Sequence, residues 1–155
     1  MIKKYRTKKG KGRPLRLVCE EEYDYSDLVK DPREVFNLMK KIRALKDTEE
    51  RMYLIRISKS GQVKGLFEVA HGSISSTILN ERGIAQRALL SDAADIIIVH
   101  NHPDGKTEPS SRDYICSRRI ENLADMIGIC LIDSIIVGKG YFSFRENGLL
   151  RPVNG

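Results

Sequence analysis

A chain of 155 residues, 41% hydrophobic and 31% charged, has the length and balance of one globular domain. No apolar run approaches the roughly 18 residues a membrane helix needs, and no apolar segment follows the basic N-terminus as a secretory signal requires. The formal net charge of +6 is local: residues 1–16 carry Lys3, Lys4, Arg6, Lys8, Lys9, Lys11, Arg13 and Arg16 and no acid, and taking those eight from the 27 basic residues leaves 19 against 21 acidic ones.

Residues 1–16 therefore read as a basic arm ahead of a near-neutral domain over 17–155. Such an arm either contacts nucleic acid phosphates without reading sequence or stays a solvated, disordered tail, the commoner fate of a charge block. Tyr5 is its one aromatic, too little for a base-stacking platform. Cys19, Cys116 and Cys130 are an odd number without a CxxC pair. They argue against a disulfide framework or a cysteine-based zinc site and fit a reducing cytoplasm.

After the arm, residues 15–19 predict a short strand, followed by an acidic linker, EEEYDYSD. Asp31-Pro32 reads as a helix N-cap with proline at the first helical position, and Val35, Leu38, Met39 and Ile42 give an amphipathic helix over 32–45. Residues 51–58 alternate, with Met52, Leu54 and Arg56 on one side and Tyr53, Ile55 and Ile57 on the other. Ser60-Gly61 marks a turn, and 62–70 return as the second strand of a hairpin. Residues 73–79 offer a sheet extension, and 81–91 a helix. Residues 94–100 form a continuous apolar strand of the kind buried on both faces, 111–127 a helix, and 129–137 another buried strand. Gly138 and Gly140 interrupt before Tyr141 to Phe144 close the sheet. Strands alternating with helices predict an α/β or α+β architecture, a mixed sheet flanked by helices.

The stretch HNHPDGKTEPSSRD, residues 100–113, carries the chemistry. Two histidines at i and i+2 of a strand point to one face, so His100 and His102 can converge on one ion. Asp113 returns through a loop containing Pro103, Gly105 and Pro109, three residues before Cys116, on the apolar stripe of Cys116, Ile120, Leu123, Ala124 and Ile127. A carboxylate aimed at a buried helix face is costly unless paired or bound to metal. A capping box between Ser110 and Asp113 accounts for Asp113 alone, but not for the two histidines. Two His and one Asp with a position left open is the ligand set of a catalytic zinc site, one Zn2+ per chain.

The pattern HxHP, Ser110 and then Asp113 resembles the JAB/MPN metalloprotease (JAMM) motif. With HNHPDG and LIDSIIVGKGYFSFRENGLL, the sequence over roughly 50–150 is similar to the RadC-type JAB domain of bacteria. The resemblance implies a JAB/MPN, cytidine-deaminase-like sandwich. It also implies hydrolysis of a peptide or isopeptide-type amide, so a peptide or protein substrate. In that scheme Glu68, in GLFEVAHGS, would be the general base and Ser110 the donor to the developing oxyanion. Two departures stand out: no helix-hairpin-helix segment of the kind many members carry is visible, and Asp133-Ser134 stands where the family usually has Asp-His. His71 matches no motif position.

Other chemistries lack their signatures. There is no HExxH, no PCxxC after the histidines, and no strand before Gly10 and Gly12 to make a phosphate loop. The contiguous letters HNH are not the dispersed nuclease motif. Two rivals remain open at this level. One is a DNA-associated repair or accessory role through the basic arm, since the RadC family carries a repair label. The other is a JAB interaction module without catalysis.

Overall fold

The computed structural model describes residues 1–25, 29–46, 48–72 and 79–153. A seven-stranded mixed sheet runs through the molecule in the order β2-β1-β4-β3-β5-β6-β7. Its strands are β1 (Ile2–Lys8), β2 (Arg16–Tyr23), β3 (Arg51–Ile57), β4 (Val63–His71), β5 (Asp95–Asn101), β6 (Cys130–Val137) and β7 (Tyr141–Ser143). The helices are α1 (Pro32–Lys41), α2 (Glu81–Leu90) and α3 (Ser111–Met126), with a short 3-10 turn at Ala44–Lys46. Strands β1 and β4, and β5 and β6, pair in parallel; the other neighbours are antiparallel. This is the mixed sheet with flanking helices expected of a JAB/MPN fold. The sheet extension expected at 73–79 lies, except for Leu79, outside the described residues.

Strand alternation makes two cores. On one face Met52, Leu54, Phe67, Ile96 and Ile98 pack with Ile84 and Ala88 of α2 and with Cys116, Ile120 and Ala124 of α3. On the other, Tyr53, Ile55, Leu66, Ile97 and Val99 pack with Val35, Leu38 and Met39 of α1. Helix α1 starts where its sequence says: the Asp31 carboxylate accepts from Glu34 N at 3.0 Å, and Pro32 occupies the first turn. It ends at Lys41, earlier than the periodicity through Ile42 suggests, because Arg43 turns to a φ of 61°.

The N-terminus departs from the expected free arm. Ile2–Lys8 is an inner strand, paired with β2 on one side and β4 on the other. Ile2 is fully buried, and Tyr5 stacks on Phe67 with centroids 5.8 Å apart. The acidic stretch expected as a linker supplies the partner strand: Glu22, Glu21 and Glu20 pair with Lys3, Lys4 and Arg6. Composition made each block look solvated; cross-strand charge complementarity brings them together.

Candidate metal centre

Parallel pairing of β5 with β6 requires a crossover, and α3 makes it. The loop into α3 therefore leaves from the carboxyl end of β5, the usual place for a site in a sheet of this kind. His100 lies on the α3 face of β5 with Ile96 and Ile98, and His102 follows just beyond the strand. Its backbone N–H donates to Val137 O at 2.9 Å, which ties the loop to β6. Gly138 is required by close approach: a Cβ there would stand 2.5 Å from Gly105 O.

Helix α3 brings the third residue. Ser110 caps it, with Oγ accepting from Asp113 N at 3.3 Å while Asp113 Oδ2 accepts from Ser110 N at 2.7 Å. The capping box and the approach to the histidines coexist. Asp113 Oδ1 lies 3.0 Å from His100 Nε2, and Oδ2 lies 3.3 Å from His102 Nε2. One ligand atom from each of the three lies within 4.8 Å of the others.

The electrostatics suit a cation. Burial alone would raise the Asp113 pKa, yet the imidazoles of His100 and His102 and the Ser110 N–H hold it well below the usual carboxylate range. The His102 pKa is raised, first by its hydrogen bond with Asp113, with smaller contributions from that charge, from Lys106 O and from Glu50. His102 Nδ1–H donates to Lys106 O at 3.0 Å, so Nε2 meets Asp113 as a donor when the ring is protonated and with a free lone pair when it is neutral. His100 is the telling residue. Both its ring nitrogens are buried without a hydrogen bond, Nε2 lying close to Asp113 but out of hydrogen-bond alignment. A buried, unsatisfied imidazole beside a strongly acidic carboxylate is what a metal ion at this point would resolve.

An open hollow of about 1000 Å³ reaches this cluster, its wall including Glu49, Glu50, His102, Ser110, Arg112 and Asp113. Glu68 is not among its lining residues. Its neighbours Phe67 and Val69 pack on the α2/α3 face, so Glu68 points to the opposite face from His100. There its carboxylate accepts from Arg51 Nη1 at 3.0 and 3.1 Å, in a separate hollow with Lys4, Arg6 and His71. The expectation that Glu68 serves the histidine cluster is corrected by that alternation. The carboxylate on the right face is Glu50. Met52 pairs with His100 across β3 and β5, and continuing that register by two residues sets Glu50 opposite His102. The signal was available in sequence, since Glu50 continues the Met52, Leu54 face past the start of the strand.

One further residue, Asn101, supports the site. Asn101, buried and pointing to the α1 face, accepts from Arg51 N at 2.6 Å through Oδ1 and donates to Glu49 O at 3.0 Å through Nδ2. It holds the backbone on both sides of Glu50. Ser134, where the resemblance leads one to expect a histidine, shares a 2.7 Å hydrogen bond with Ser117 of α3, both buried. Asp133 beside it accepts from Ser134 N, Arg145 N and Ser143 Oγ, and ties β6 to the chain after β7.

Residues 29–149 match the family described as the RadC-like JAB domain. The chain belongs to that family. This RadC-like JAB domain is 36% identical over 124 residues to a UPF0758 protein of Clostridium acetobutylicum, covering 79% of this chain and 53% of that one. It is 32% identical over 123 residues to a UPF0758 protein of Chlorobium phaeovibrioides, at 79% and 55% coverage. It is 34% identical over 104 residues to one of Porphyromonas gingivalis, at 66% and 46%. The chain spans about half the length of the curated relatives it matches. Among the described residues no helix is long and apolar enough to cross a membrane.

Proposed function

We propose that this RadC-like JAB domain is a JAMM-type metallohydrolase that binds one zinc ion through His100, His102 and Asp113 and cleaves a peptide or isopeptide-type amide in a protein substrate. The observation that carries the reading is the buried His100 imidazole, both ring nitrogens without a hydrogen bond, converging with His102 and Asp113 at the foot of an open hollow.

When bound, zinc supplies the Lewis acidity that makes a water nucleophilic near neutral pH and polarises a carbonyl. The chain's own residues do the rest. Glu50 is the general base, taking a proton at its carboxylate and passing it to the leaving amine. Asn101 holds Glu50 to the cluster through the backbone on either side. Ser110 Oγ already accepts from Asp113 N, so its O–H remains to donate to the oxygen of a scissile carbonyl. The rigid cap of α3 fixes that hydroxyl.

A JAB module without catalysis would have no need for three converging ligands and a carboxylate opposite them. The test is elemental analysis of the purified chain, with hydrolysis of a mixed peptide and isopeptide library before and after chelation. The reading expects close to one zinc per chain and chelator-sensitive cleavage. A chain that takes up no divalent ion at micromolar concentration would remove it.

A further inference from the structure

The hairpin of β1 and β2 has charges that its own structure does not use. Lys3, Lys4 and Arg6 are paired with Glu22, Glu21 and Glu20. Lys8, Lys9, Lys11, Arg13 and Arg16 are exposed and, among the described residues, have no ion pair. The pairing explains the division. Strand β1 meets β4 only at Lys4 and Tyr5, whereas its ladder with β2 continues to Lys8 opposite Arg16. The register with β2 also shifts between Lys4 and Tyr5, so Glu20 is an extra residue at the place where β1 leaves β4. A bulge bends and twists a ribbon at that point. Beyond it, residues 6–18 form a two-stranded ribbon, anchored at its root by three ion pairs and carrying five cations that, among the described residues, have no ion pair.

Direction matters too. Strands β1 and β4 are parallel, and β4 and β5 are each antiparallel to β3, so β1 runs the same way as β5. The tip therefore leaves the sheet at the end where β5 delivers His100 and His102, the two strands being three spacings, about 14 Å, apart in the sheet.

We infer that this ribbon is a nucleic acid-binding element that grips the phosphates of duplex DNA. The chemistry favours phosphates over other acidic partners. Residues 8–16 have no acid and no aromatic, and their only sizeable apolar side chain, Leu15, is half-buried. Residues 8–16 offer a membrane no exposed large apolar wedge and an acidic peptide no aromatic contact for its side chains. A repeating charge needs neither. A two-stranded ribbon fits the roughly 12 Å width of the major groove, and lysine and arginine contacts to phosphate bind without reading sequence.

The experiment is a salt titration of full-length chain binding to a labelled 20-base-pair duplex, for the parent, for the triple variant Lys9→Gln, Lys11→Gln, Arg13→Gln, and for Lys3→Gln at the paired root. Five phosphate contacts give a slope of log affinity against log salt near −4.5, and removing three flattens it to about −2. The triple variant should bind at least tenfold more weakly in low salt and melt at the parent's temperature. Lys3→Gln should change affinity less than twofold, and His102→Ala should leave the slope unchanged, which separates this result from the fate of the hydrolase reading. Equal affinity and slope for parent and triple variant overturn the inference. So does tighter binding, charge for charge, of polyglutamate or of phosphatidylserine vesicles than of the duplex.

Discussion

Asn101 grips the peptide groups on both sides of Glu50, accepting from Arg51 N and donating to Glu49 O. It sits on the strand between the two histidines but points to the other face of the sheet. One strand end thus performs two tasks: His100 and His102 face the cluster, and Asn101 secures the neighbouring strand that presents the carboxylate. Asn101→Ala removes the partner of two part-buried backbone groups, Arg51 N and Glu49 O, at a cost of about 1 kcal/mol in stability. With Glu50 less well held, turnover should fall about tenfold or more while bound zinc stays near the parent level. Paired measurements of kcat and metal content check this. Loss of zinc in step with activity would make Asn101 a general support of the ligands instead.

The two candidate carboxylates separate cleanly. Glu50→Gln should retain metal and lose about 10²–10⁴ in turnover, because an amide keeps the shape but accepts no proton. Glu68→Gln loses an ion pair with Arg51 in which both side chains are a quarter exposed, worth about 0–1 kcal/mol, and should leave turnover within about twofold. Side-by-side kinetics of the two variants decide between them, and the reverse pattern would restore Glu68.

The His100, His102 and Asp113 cluster was legible because it is local: the strand rule fixes His100 and His102 on one face, and a cap plus helical spacing fixes Asp113. Glu68 misled because it lay near a glycine in the expected family context, while its facing depends on neighbours Phe67 and Val69 and on pairing with β3. Glu50 could be reached only by carrying the β3–β5 register one residue before Arg51. The β1–β2 hairpin was opaque for another reason. A basic block and an acidic block each look soluble alone, and nothing local says that they pair across a turn or that Ile2 is a core residue.

Ser134 stands where the resemblance to the RadC-type domain leads one to expect a histidine, and its hydroxyl pairs with Ser117 across β6 and α3. Removing one partner strands the other in a dry place. Ser134→Ala should cost about 1–3 kcal/mol, whereas Ser117→Ala combined with Ser134→Ala should cost less than the sum of the two singles. Chemical denaturation of the three variants gives the coupling. Zinc content should be unaffected, since neither hydroxyl touches His100, His102 or Asp113 in the cluster described. An additive double variant would show that the pair carries no energy of its own.

The last prediction concerns the N-terminal residues, whose composition suggests a dispensable tail. Deleting residues 1–8 removes a strand from inside the sheet, exposes the β4 edge and strips the hairpin partner from β2. It also removes Ile2, fully buried beside the α1 core. The truncated chain should lose cooperative unfolding or melt at a much lower temperature. The milder Ile2→Ala isolates the packing contribution: about 2–5 kcal/mol for an isoleucine cavity, or roughly 5–15 °C in a domain of this size. Lys9→Gln, at the ribbon tip, should leave the melting temperature within about 1 °C, because it neither packs nor pairs. Calorimetric melts of the three chains distinguish the possibilities. If the truncated chain melted with the parent, β1 would be an ornament on the sheet, and the ribbon would lose its rigid root.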